Sequence, residues 1–299
     1  NYFTPESNPD PLVRTYVFNQ FIYVFGEKTI EPWQPATGLP PVERMNGAIV
    51  ENVGLANKDA VSSTQDSIYF ISDDKDAYQL QGFSPKSITT VAIANSWKEY
   101  TTSDALVQVI RIQSLNFVIF TFPTDGKTWG YVEQYNLWFE LETGTTGGRW
   151  LGNTIEEAYN RVVVADYQSG NIYTLEPETY TDNDLTTVRE RIWAPLAGEK
   201  LNKPRQFFQL NELGLSVETG VGNSAEREPL LAISFSSDGG KTFSNERFKQ
   251  LGQDGEYLTD VKISSNKHFK DLTIKARYTE PNKFSLFSSY VKIREAGKQ

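Results

Sequence analysis

The chain has 299 residues, 13% of them aromatic, with a formal net charge of −9 and no cysteine. That length suits one large domain or two smaller ones with a buried core, and the lack of cysteine excludes disulfides, thiol catalysis and cysteine metal sites. No dense Lys/Arg run supplies the basic stripe that grips phosphates, and no apolar run approaches the roughly 20 residues that span a bilayer, so neither specific nucleic-acid binding nor a membrane partner is expected.

The start, Asn1-Tyr2-Phe3-Thr4, is neither an initiator Met nor a signal peptide, and the chain reads as a fragment or trimmed product that begins inside its fold. Asn8-Pro9-Asp10-Pro11 breaks regular structure, because each proline fixes φ and removes a donor. Val13 to Phe18 and Phe21 to Phe25 are β-branched and aromatic, with Asn19-Gln20 between them as a two-residue hairpin turn. Gly26-Glu27-Lys28 turns the chain again, and Thr29 to Trp33 starts a third strand.

The same unit recurs. Ser67 to Ile71 turns at Asp73-Asp74-Lys75-Asp76 and resumes at Ala77 to Leu80. Phe117 to Phe122 turns at 124–127 and resumes at Trp129 to Val132. Arg161 to Ala165 turns at 168–171 and resumes at Ile172 to Leu175. The spacing of about 45 residues is that of a four-stranded propeller blade; unrelated hairpins in a β-sandwich are the alternative. A short helix fits between units, within Ile93 to Val109. Glu178 to Arg189 is polar and turn-rich, and a boundary is placed near 199–204. Residues 1–200 are thus read as propeller-like blades and 201–299 as a C-terminal β region, either a further blade or a small sandwich. In the latter, strands are expected over Phe207 to Thr219, Leu230 to Ser236, Phe243-Ser244 onward, Leu272 to Tyr278 and Phe287 to Arg294. Gly220 to Pro229 is a loop, and the fold class is all-β.

Two stretches carry a family resemblance. SNPDPLVRTYVFNQFIYVFGEKTIEPW (Ser7 to Trp33) and the layout ELGLSVETG, LLAISFSSDGGKTFSNE and GEY of the C-terminal region resemble the packaged-DNA stabilisation proteins of short-tailed phages. The resemblance brackets most of the chain; the middle is supported by strand layout. It implies a structural virion protein of the phage tail, assembled in the host cytoplasm. In that role it is a hub subunit that forms a ring of six copies and closes the portal channel. The implied neighbours are a portal adaptor, a tail needle and tailspikes. Relatives also carry a further N-terminal region, and they follow the second stretch with a Trp and several arginines. Val261 to Lys270 has neither, so a contact made by that cluster needs other chemistry here.

Motifs for chemistry are few. Ser236-Ser237-Asp238-Gly239-Gly240-Lys241-Thr242-Phe243 fits the Asp-box pattern S-x-D-x-G-x-x-F, a folding device in which Asp caps the turn, Gly supplies positive φ and the aromatic plugs the hairpin base. Thr124 to Trp129 is a shortened version, read as a turn. His268, the single histidine, follows a polar turn with no G-x-S-x-G elbow elsewhere, and is read as a solvated loop residue. The acidic turns 73–76 and 182–184 lack the ligand set of a calcium loop. Trp33, Trp129, Trp138, Trp150 and Trp193 suit core or interface anchors better than stacking platforms. No catalytic, cofactor-binding or metal residue is assigned, no cofactor is expected, and the chain is read as no enzyme. The competing readings are a propeller glycosidase or carbohydrate-binding module, suggested by the Asp box and tryptophans, and a bacterial surface propeller.

Overall fold

The structure is a computed structural model that describes residues 10–144, 147–197, 207–221 and 228–295. The chain divides into two compact units, Asn1–Glu176 and Pro177–Gln299. The boundary expected near 199–204 lies outside the described residues.

The first unit is a series of antiparallel meanders. Blade one holds β1 (Leu12–Phe18), β2 (Phe21–Gly26), β3 (Thr29–Pro35), β4 (Val42–Arg44) and the short β5 (Val50–Glu51) beside β3. Blade two holds β6 (Val61–Ser63), β7 (Ile68–Ile71), β8 (Ala77–Gln81) and β9 (Ser84–Ser87). The helix α1 (Val91–Trp97), capped by Thr90, leads to blade three: β10 (Leu106–Ile112), β11 (Leu115–Phe122), β12 (Lys127–Val132) and β13 (Leu137–Glu140). Blade four holds β14 (Gly152–Ala158), β15 (Arg161–Asp166) and β16 (Ile172–Thr174). The repeat expected from the sequence is therefore real, and the second strands begin at Phe21, Ile68, Leu115 and Arg161, spaced 47, 47 and 46 residues.

One local device recurs in the first hairpin of three blades. Asn19-Gln20, Gln113-Ser114 and Tyr159-Asn160 all hold φ between 47° and 69°. Two successive left-handed residues are what a type I′ turn requires, and its twist matches that of the flanking strands. First strands of successive blades lie side by side, β6 beside β10 and β10 beside β14, as inner strands of a propeller do. Blades then pack face to face. All of β7 and residues 118–122 of β11 are buried on both faces, which is why those words are apolar but for Thr121. Phe25 meets Phe70 edge-on at 5.5 Å across blades one and two, and Tyr69 meets Tyr131 at 6.2 Å across blades two and three. Trp97 of α1 is fully buried against Phe120, Phe122 and Trp138. A smaller cluster of Ile110, Ile119, Ile155 and Val164 joins blades three and four.

The second unit opens with the hairpin β17 (Thr181–Asp182) and β18 (Leu185–Thr186), followed by β19 (Arg189–Ile192) and β20 (Leu196–Ala197). Then come β21 (Phe208–Val217), β22 (Leu230–Ser236), β23 (Arg247–Gln250), β24 (Val261–Ile263), β25 (His268–Phe269), β26 (Asp271–Tyr278) and β27 (Leu286–Glu295). One sheet has the order β19-β26-β22-β23 with β20 beside β26; the other centres on β21, paired with β24, β25 and β27. Their inner faces alternate as a two-sided strand must. Leu272, Ile274, Ala276 and Tyr278 of β26 and Leu231, Ile233 and Phe235 of β22 share a core with Phe208, Leu210, Leu213 and Leu215 of β21. The unit is a small β-sandwich.

Two expectations change in detail. The strand placed from Phe243 onward begins only at Arg247. Ser244 is responsible: its Oγ accepts the Phe235 N–H at 3.1 Å while its own N–H donates to the Phe235 carbonyl at 2.8 Å. A side chain thus replaces the backbone acceptor and delays the ladder. His268 lies in the two-residue strand β25, paired with Gln209, and its side chain is exposed.

Candidate functional site

The first strands of blades two, three and four line a cleft of about 420 Å³. Ser63, Thr64 and Gln65 form one wall, Val109, Ile110 and Arg111 the floor, and Ile155, Glu156 and Glu157 the other wall. Its two carboxylates are successive residues of one strand, so their side chains leave the backbone in opposite directions. Hydrolysis of a glycoside needs two carboxyl groups facing each other across a sugar ring, and this arrangement does not supply such a pair.

Behind the cleft a polar network ties blade two to blade three. Tyr69 Oη donates to Glu133 Oε1 at 2.7 Å and accepts from Gln79 Nε2 at 2.8 Å. Gln79 Nε2 also lies 3.0 Å from Ser67 Oγ, and Asn116 Nδ2 donates to Glu133 Oε2 at 2.7 Å. Glu133 opens the short 3-10 turn Glu133–Tyr135, which Asn136 closes in the left-handed conformation. Burial, reinforced by the Glu133 carboxylate, pushes the Tyr69 phenol far above its usual range, and burial raises Tyr131 as well. A phenol so held keeps its proton and acts as a donor, so the network is a latch between blades rather than a proton-transfer site. Sequence reasoning missed it, because its hydrogen bond from Tyr69 to Glu133 joins residues 64 apart.

The Asp box closes as its residue types require. Asp238 Oδ1 accepts from Ser236 Oγ at 2.6 Å and from the Thr242 N–H at 2.9 Å, and its Oδ2 accepts from Thr242 Oγ1 at 2.6 Å. Gly239 and Gly240 have φ of 73° and 91°. The hydrogen bonds from Ser236 and Thr242 hold the Asp238 carboxyl well below the usual carboxylate range. Phe243 is half-buried, with Lys275 Nζ 4.5 Å from its ring centre. In the shortened version, Asp125 reaches out of its own turn and accepts the Thr101 N–H at 2.6 Å.

The acidic turns are used internally. Asp73 pairs with Lys28, Asp74 accepts from Ser72, and Asp76 accepts from Ser87 and Thr89. Asn183 and Asp184 form another two-residue left-handed turn, between β17 and β18. Among the described residues no cluster of three or more His, Asp or Glu could hold a metal ion. Of the tryptophans, Trp33 and Trp97 are buried, and Trp129, Trp138, Trp150 and Trp193 are half-buried. Trp138 donates its indole N–H to the Ile88 carbonyl at 3.0 Å. They act as anchors.

Comparison with known proteins follows the same two-unit division. A family model described as Bacteriophage P22 Gp10, beta-propeller, matches residues 1–180, and a second, Bacteriophage P22 Gp10, beta-sandwich, matches residues 195–294. No curated protein matches the chain. Solved structures similar to it include the exo-beta-1,3-galactanase of Phanerochaete chrysosporium with galactose, at 7% identity and a TM-score of 0.32. A variant of that enzyme with beta-1,3-galactotriose gives 7% identity and 0.31. Both alignments cover 93% of this chain and 79% of the other, and likeness at that score carries no functional argument. The propeller of interlocked blades, the sandwich that follows it in the chain and the two family matches agree with the resemblance read from Ser7 to Trp33 and from the C-terminal region: the chain belongs to the bacteriophage P22 Gp10 family of DNA-stabilisation proteins, structural components of the virion.

Proposed function

We propose that this chain is a tail-hub subunit that closes the portal channel and retains packaged DNA mechanically. The observation that carries the reading is the family match over both units. Retention of pressurised DNA requires rigid bodies and large subunit contacts and needs no catalysis. The latched, aromatic-packed blades supply rigidity, and the side chains around the cleft have no nucleophile–base pairing among the described residues. The subunit works in a ring of six copies, with the portal adaptor above, the tail needle below and tailspikes around it, and it joins the virion in the host cytoplasm.

The test is recruitment. Purified chain should run as a monomer or small oligomer when dilute, and adding the adaptor ring should recruit several copies, counted by light scattering. Particles assembled without the chain should lose their DNA. A stable monomer that neither adaptor nor needle protein ever shifts would remove the hub reading.

A further inference from the structure

The net negative charge of this chain resides in one unit. Residues 1–176 carry 21 acidic and 11 basic side chains, a net −10, while residues 177–299 carry 17 and 18, a net +1. The sandwich also bears a cationic groove. Two adjoining clefts, of about 220 and 380 Å³, share Phe243, Ser244, Arg247 and Lys267. Arg247 spends one nitrogen on the Ser264 carbonyl at 2.7 Å and rests over the Phe235 ring, which fixes its guanidinium at the groove wall. Lys267 is exposed, and its ammonium has no ion pair or hydrogen bond among the described residues. The one carboxylate in the lining, Glu246, is engaged by Arg277 at 3.5 Å.

The propeller offers a counterpart. Most of its carboxylates are in use: Asp59 with Arg14, Asp73 with Lys28, Glu140 and Glu142 with Lys127, Glu176 with Arg161, and Glu133 in the latch. Glu156 and Glu157 are exposed, lie one on each face of the edge strand β14, and have no ion pair or hydrogen bond among the described residues, although Arg111 lines the same cleft. We propose that the Arg247–Lys267 groove of one copy receives the Glu156–Glu157 edge of a second copy, a head-to-tail contact between the sandwich of one chain and blade four of the next. In the ring such a contact is heterologous, the groove of each copy meeting the edge of the next. It rests on the ring reading given above. Charge complementarity at this one contact acts against the general repulsion between copies, which is screened over about 10 Å at 0.1 M salt.

The experiment is a charge swap on the whole chain, read by sedimentation velocity at 0.1 M salt over a concentration series. Wild type should show weak, concentration-dependent association. Lys267→Glu alone and Glu156→Lys/Glu157→Lys alone should each weaken it at least tenfold, and mixing the two variants should restore it, since each then meets its complement in trans. Circular dichroism checks that the variants are folded. Four results overturn the contact: wild type monomeric at every concentration, association indifferent to Lys267→Glu, no rescue on mixing, or rescue only when all three changes sit in one chain. The last would place the contact within a chain. Displacement of the association by equimolar duplex DNA would reassign the groove to nucleic acid and also overturn it. Adaptor recruitment of wild type reports on the ring independently: full recruitment of Lys267→Glu would keep the ring and remove this contact.

Discussion

At the scale of single residues, two side chains show how differently a hydrogen bond counts by its surroundings. Tyr69 is fully buried and donates to a carboxylate; Tyr16 is half-buried and meets the Ser63 hydroxyl at 3.0 Å. Hydrogen bonds to charged groups contribute about 1.5–3 kcal/mol and neutral ones about 0.5–1.5. Tyr69→Phe should therefore lower stability by about 2 kcal/mol, and Tyr16→Phe by less than about 1. Denaturant midpoints of the two variants check the order, and a reversed order would mean that water relieves Glu133 when the phenol is lost. Asp238 gives a pH-dependent case. Its folded pKa lies well below the ordinary aspartate range because Ser236 and Thr242 donate to the carboxylate. A depressed carboxylate contributes stability above its unfolded pKa and loses it as pH falls through the folded one. Asp238→Asn should therefore lower the thermal midpoint at pH 7, and the gap to wild type should narrow steadily below about pH 4. A gap that stays constant down to pH 2 would assign the loss to geometry instead of charge.

At the scale of elements, close approach decides what a glycine tolerates. Gly54 follows β5 and is buried against the turn between β2 and β3, where an added Cβ would fall on the Glu27 carbonyl group and the Lys28 nitrogen, all backbone. Gly130 of β12 faces Phe139 of β13, and there a Cβ would meet only the far end of the Phe139 ring. A half-buried ring can swing aside, whereas a backbone turn tied by the Gly26 carbonyl to Leu55 cannot. Overpacking costs about 1–3 kcal/mol, so Gly54→Ala should sit at the upper end, near 3, and Gly130→Ala near 1. Thermal denaturation of the two variants tests this, and equal losses would show that the Glu27 turn yields. Elements also show which features the sequence makes visible. Second strands such as Phe21 to Gly26 and Leu115 to Phe122 are legible because burial makes them predominantly aromatic and β-branched, with few polar positions. Fourth strands are not: β9 is Ser84–Ser87 with Pro85 inside it, an edge strand with one neighbour and no alternation to read. The hairpin turns Gln113-Ser114 and Tyr159-Asn160 lack a leading Asn as well as glycine, so only the structure reveals that they repeat Asn19-Gln20. The latch around Glu133 and the Arg247 groove are assembled by tertiary packing from distant segments, which no local pattern encodes.

At the scale of the whole molecule, charge sets what the chain can hold. Affinity for duplex DNA comes chiefly from released counterions, and its logarithm falls with that of salt at a slope of about −0.9 for each phosphate neutralised. The cationic groove offers Arg247 and Lys267, one of them already bonded to a carbonyl. Two phosphates at most are within its means, a slope near −2, and the net −10 of residues 1–176 opposes approach of any polyanion. Gp10-family chains are named for stabilising DNA, yet this charge distribution makes direct grip a poor means of doing so. Fluorescence anisotropy with a labelled duplex should show no saturable binding at physiological salt below about 0.1 mM, the weak edge of the non-specific range. Loss of DNA from particles lacking the chain is compatible with that result, since the hub proposed above closes its channel mechanically. Submicromolar binding with a salt slope steeper than about −4 would require a phosphate-binding surface larger than the groove. Closure would then have to be rebuilt around contacts between the subunit and the DNA itself.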